Sequence, residues 1–137
     1  MLIEPLNIGR IVAVRLNSGD DILACLEEAV KREDIKSAVI LSGVGSTSSY
    51  HYHVVGTREI PPVNAFEKGE AAMDIVNING MVLDGRVHAH ITFADTAKAL
   101  GGHMEPGCRV LTFAVVVIAV IEGAELGRWD SFDIMGN

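Results

Sequence analysis

The stretch MDIVNINGMVLDGRVHAHITF, Met73 to Phe93, decides the fold. Ala71 to Ile78 alternates through Met73 and Ile75 at the period of a strand, and Val87 to Phe93 reads as another. Between them stand two turn signals, Asn79-Gly80 and Asp84-Gly85, separated by the apolar Met81, Val82 and Leu83. Both dipeptides suit tight hairpins, because Asn, Asp and Gly tolerate the left-handed backbone such turns need. Strands joined by tight turns are antiparallel neighbours, so the stretch predicts a meander.

Toward the N-terminus, Gly9 to Leu16 reads as a first strand, broken by Asn17, Ser18 and Gly19. Asp20 and Asp21 then offer an oxygen cap and negative charge to a helix start. Ile22, Leu23, Leu26, Ala29 and Val30 recur at three- and four-residue spacing, with Glu27, Glu28, Lys31 and Arg32 opposite them. The pattern predicts one amphipathic helix lying on a sheet. SAVIL, Ser37 to Leu41, is continuously apolar and predicts a strand covered on both faces. SGVGS, Ser42 to Ser46, lacks the third glycine and the helix of a phosphate-cradling loop, so it reads as a turn or bulge. Tyr50 to Val55 alternates as a strand, with His51 and His53 on one face and Tyr50 and Tyr52 on the other. Gly56 to Gly69 has neither period and reads as the main loop.

Toward the C-terminus, Ala94 to Gly102 reads as a connection with a short helical turn. Val110 to Ile121, rich in Val and Ile, closes the sheet, and Leu126 to Ile134 adds a last strand or edge segment. The fold class is therefore α/β of the α+β type. A largely antiparallel or mixed β-sheet packs with one main amphipathic helix, in a single domain over residues 1–137.

Apolar residues make up 49% of the 137-residue chain and aromatic ones only 5%, which predicts an aliphatic core. Eleven Lys and Arg against eighteen Asp and Glu give a formal charge of −7, and no basic cluster stands out. Direct nucleic-acid binding is disfavoured, because it relies on cations that displace phosphate counterions. Anionic membrane surfaces are disfavoured for the same reason. MLIEPLNIGR has no basic flank before a long apolar run, so a cytoplasmic location is expected. Cys25 and Cys108 lack CxxC spacing and are expected to stay reduced.

The chemistry concentrates between Arg86 and Cys108, which holds three of the five histidines. His88 and His90, two apart on a strand, point the same way with Cα atoms about 6.5 Å apart. Gly101-Gly102 would let the backbone turn His103 toward them. Three neutral imidazoles suit a divalent transition metal, zinc first, and leave a coordination position open for water or a small-molecule ligand. Glu105 and Asp95 flank the set as candidate catalytic carboxylates, for a general base or a fourth ligand. Arg86 and Arg109 are candidate cations beside the open position. Residue type and spacing also leave open a plainer reading, in which the histidines are ordinary strand residues bonded to carbonyls. The second HxH, His51 and His53, reads as an exposed strand face.

LNSGDDILACLEEAV (16–30), IKSAVILSGVGS (35–46), MDIVNINGMV (73–82), VHAHITFAD (87–95) and GGHMEPG (101–107) together resemble the PPC family, the plants and prokaryotes conserved domain, from Arg10 to Ile121. The bacterial, stand-alone type is the nearest form. The resemblance implies a homotrimer, with a DNA-associated regulatory role in the plant members. The Arg-Gly-Arg-Pro hook of those members has no counterpart here, since Gly9-Arg10 continues as Ile11-Val12. Their partner-binding segment falls on Ala71 to Val76, where only Ile75 is identical. His88, His90 and His103 also resemble the zinc site of acetolactate decarboxylases. That narrower likeness implies, as an alternative, a metal-dependent lyase or hydrolase on a small carbonyl or ester substrate.

Overall fold

Asp84 and Gly85 turn the chain with φ of +50° and +76°, the left-handed pair a two-residue hairpin requires. In this computed structural model, which describes residues 1–132, the turn joins strands β3 (Asn64–Leu83) and β4 (Arg86–Ala94). They pair antiparallel from Leu83–Arg86 to Asp74–Ala94. Asn79-Gly80 is no hairpin and lies inside β3. Ladders on both sides hold it there, with Gly80 opposite Ile40 on one side and Ala89 on the other. The glycine answers to a close approach: a Cβ on Gly80 would stand 2.2 Å from the His88 carbonyl oxygen.

β1 (Asn7–Asn17) precedes α1 (Ile22–Arg32), and β2 (Ser37–Val55) follows it. Asp21 caps α1, its Oδ1 accepting from the Ala24 N–H at 3.2 Å. Its other oxygen accepts from the Gly107 N–H at 2.7 Å, tying the helix start to the loop before the last strand. SGVGS lies within β2 and carries register shifts against the last strand, which makes it a bulged strand and no loop. The expected loop of 56–69 shortens to 56–63, because β3 begins at Asn64 opposite Val55 and continues the β2–β3 hairpin.

The connection after β4 has no helical turn. Asp95 makes a tight turn instead, its carboxylate accepting from the N–H groups of Ala97 and Lys98 at 2.7 and 2.9 Å. β5 (Ala99–Met104) follows, then β6 (Val110–Glu122). Leu126 is buried, but residues 126–132 form no strand, and Ile134 lies outside the described residues.

The sheet order is β1-β6-β2-β3-β4-β5, with every neighbouring pair antiparallel. β5 also pairs with β2, so β2-β3-β4-β5 curls into a closed ring of strands. Ile22, Leu26 and Val30 of α1 join Leu16, Ile40, Ile78, Phe93 and Ile118 in one core, all essentially without exposure. Each such side chain contributes roughly 1.5–3 kcal/mol of burial. Tyr50 and Tyr52 pack toward Phe93, which leaves His51 and His53 on the other face of β2. Among the described residues no helix is long and apolar enough to cross a membrane.

Candidate metal centre

β4, β5 and β2 lie side by side where the sheet closes, and each brings histidine to the same face. His103 of β5 stands in register with His90 of β4 and also with His53 of β2. Two glycines permit this double approach. A Cβ on Gly101 would fall 2.0 Å from the Ile91 carbonyl oxygen, and one on Gly102 2.4 Å from that of His53. The pair therefore serves to seat β5 between two strands, one glycine for each.

Nitrogens of His88, His90 and His103 lie within 4.8 Å of one another. His88 and His90 stack at 5.8 Å between ring centroids, and the His103 ring meets them edge-on at 4.7 and 5.5 Å. Nitrogens bound to one zinc ion at about 2.0–2.1 Å stand a little over 3 Å apart, so a modest inward rotation converts the cluster to a ligand set. Desolvation, then the neighbouring His88 and His53 rings, holds the His90 pKa below its ordinary value; His103 is lowered by desolvation, then by His88, His53 and His90, against an opposing pull from Glu105. Both rings are thereby kept neutral, with lone pairs free for a metal.

Asp130, from the segment after β6, accepts from His88 Nδ1 at 3.0 Å. Arg86 braces that carboxylate through two bonds of 3.1 and 3.2 Å, and donates to the Gly127 carbonyl at 3.1 Å. The Arg86 bond, ahead of the weaker His88 bond, pushes the Asp130 carboxyl down to about 2. A carboxylate on Nδ1 fixes the tautomer that presents Nε2 to the cluster.

Glu105 comes to the opposite side. Its Oε1 lies 2.6 Å from His53 Nδ1, and the His53 ring stacks on His103 at 4.5 Å. His53, His103 and Glu105 form a second group with ligand atoms within 4.8 Å. Asp95 belongs to neither group; its carboxylate is engaged in the β4–β5 turn. Arg86 is committed to Asp130, and Arg109 donates to the Gly19 carbonyl at 3.0 Å.

Sequence reasoning missed two participants. His53 was visible as half of an HxH pair, but its partners depend on β2 closing onto β5. Asp130 lies 42 residues from His88 in a tail without periodicity, and no local signal marks it.

A sequence model described as the Plants and Prokaryotes Conserved (PCC) domain matches residues 4–122. A curated Synechococcus protein named bifunctional protein GlmU is 29% identical over 119 residues, which are 85% of this chain and 18% of that protein. The chain thus spans less than a fifth of that relative's length. Among solved structures, a metal-containing protein of Archaeoglobus fulgidus superposes with TM-score 0.78 at 20% identity, covering 91% of this chain and 89% of that one. A plant- and prokaryote-conserved protein of Pyrococcus horikoshii gives 0.77 at 20%, covering 91% and 87%. A Staphylococcus aureus protein described as similar to alpha-acetolactate decarboxylase gives 0.51 at 22%, covering 85% and 53%.

Proposed function

Starting from a chain that belongs to the Plants and Prokaryotes Conserved (PCC) domain family, we propose that it is a cytoplasmic metal-binding module in which His88, His90 and His103 hold a divalent transition metal, zinc first. The observation that carries this is the convergence of three imidazoles from two strands, their nitrogens within 4.8 Å of one another. The described content of the Archaeoglobus relative agrees with it. Metal content of protein purified without chelators tests the reading. One or more equivalents of transition metal in the wild type, with the content reduced in His88→Ala and in His103→Ala, supports it. Absence of metal, or content unchanged in both variants, overturns it.

The same reading includes a homotrimer. Val44, Val76, Leu111 and Phe113 are each 39–56% exposed and line one shallow depression on the sheet, an apolar surface suited to burial against a second copy. Light scattering that returns a monomer at micromolar concentration would contradict it. DNA binding by the isolated chain is not part of the proposal, given the charge of −7. A mobility shift at low salt that showed tight binding would reverse that.

One observation favours a second reading, a metal-dependent lyase or hydrolase. Glu105 lies on the same face as the three imidazoles, where a carboxylate would move protons for a metal-bound water. Turnover of small carbonyl or ester compounds by zinc-loaded protein, lost in Glu105→Gln, would establish it.

A further inference from the structure

His103 is the middle of a row. Its ring has His90 and His88 of β4 on one side and His53 of β2 on the other, with centroids 5.5, 4.7 and 4.5 Å away. Glu105, two residues further along the chain and just past the end of β5, closes the β2 side through its 2.6 Å contact with His53. The His53 and Glu105 side chains are only 17% and 23% exposed, and Phe66 packs on the outer side of the His53 ring at 5.2 Å. The two groups together therefore hold four imidazoles and one carboxylate, more donors than a single four-coordinate ion uses. They divide into two triads that share His103 alone.

We propose that His53, His103 and Glu105 form a second divalent-metal position, so that the chain takes two ions joined through the His103 imidazole. This rests on the reading of His88, His90 and His103 as the first position. An imidazole has a nitrogen on each side of its ring and, when neutral, carries a proton on one of them. Engaging both nitrogens expels that proton to solvent, and the ring bridges as an anion. Together with the Glu105 carboxylate it supplies negative charge between and beside two dications. The first triad alone, made of neutral rings, offers none. Glu105 also makes the second position the harder of the two, more tolerant of oxygen-preferring ions.

The test is a Zn²⁺ titration of the chelator-stripped full chain. Bound ions are counted by native mass spectrometry, and heats are measured in two buffers of different ionisation enthalpy. The expected result is two equivalents per chain, with an extra proton released on the second. His53→Gln, Glu105→Gln and His88→Ala should each retain one. One equivalent in the wild type overturns the second position and leaves the first standing, as do two equivalents that survive both His53→Gln and Glu105→Gln. No binding at all removes both positions. A wild-type count below two overturns the second position whether or not any variant folds, and a count of two is assigned by its loss in His53→Gln and Glu105→Gln.

Discussion

His88 Nδ1 stands 3.0 Å from Asp130 Oδ2, so the segment after the last strand reaches back to orient a candidate metal ligand. The contact leaves His88 one nitrogen to offer and settles which one. Asp130→Asn keeps the shape but removes the charge and the strong acceptor. Zinc affinity at the His88 position should fall about 10- to 100-fold, with binding at the other position retained. Competition with a chromophoric chelator measures it.

His90 and His103 predict how the metal-free protein responds to acid. Desolvation and neighbouring rings lower both pKa values in the folded state, whereas the unfolded chain takes up protons near pH 6.5. Between those points the unfolded state binds more protons, so stability rises with pH. Their contribution should be fully present above about pH 6.5 and lost as pH falls through the lower folded values. Urea midpoints of apo protein between pH 7.5 and 5 should decline, and less steeply in His103→Gln.

Gly102→Ala should act on fold and site together. The new Cβ would fall 2.4 Å from the His53 carbonyl oxygen, which is backbone and has no easy way to give. A loss of roughly 2–3 kcal/mol is expected, with weakened metal binding. Thermal unfolding and a zinc titration on the same sample report the two effects. A variant as stable as the wild type would show that β5 does not need to sit so close to β2.

Thr47 on β2 is fully buried, and its hydroxyl has no hydrogen-bond partner among the described residues. Thr47→Val has nearly the same shape and removes the orphaned polar atom. It should raise stability by about 1 kcal/mol, read as a higher denaturant midpoint at unchanged slope.

Much of this architecture was legible in local signals. The α1 periodicity, the Asp21 cap and the Asp84-Gly85 turn are short-range physics, and the structure places each where the residues predict. Asn79-Gly80 misled because turn chemistry is only a permission: strands on both sides of β3 reward a straight passage more than a turn. The stretch before Gly102 hid a strand, since Ala99 to Met104 has little β-branched character and is held by its neighbours. The site was legible to the same degree. His88 and His90 share a face by the period of a strand alone. Bringing His103 to them, and His53 and Asp130 to the edges, takes tertiary closure that no sequence period encodes.

The ring of strands is closed at β2–β5 by two ladder pairs, Tyr52–Met104 and His53–His103, and one further backbone bond from the Glu105 N–H to the His51 carbonyl, far shorter than the seam between β2 and β3. Its most local weakness thus coincides with its densest set of metal donors. An ion held by His53 and His103 would act there as a clasp, fastening one strand to the next where backbone pairing is scant. Loading and closure would then be one thermodynamic event, and the chain would report metal supply through the firmness of a single seam.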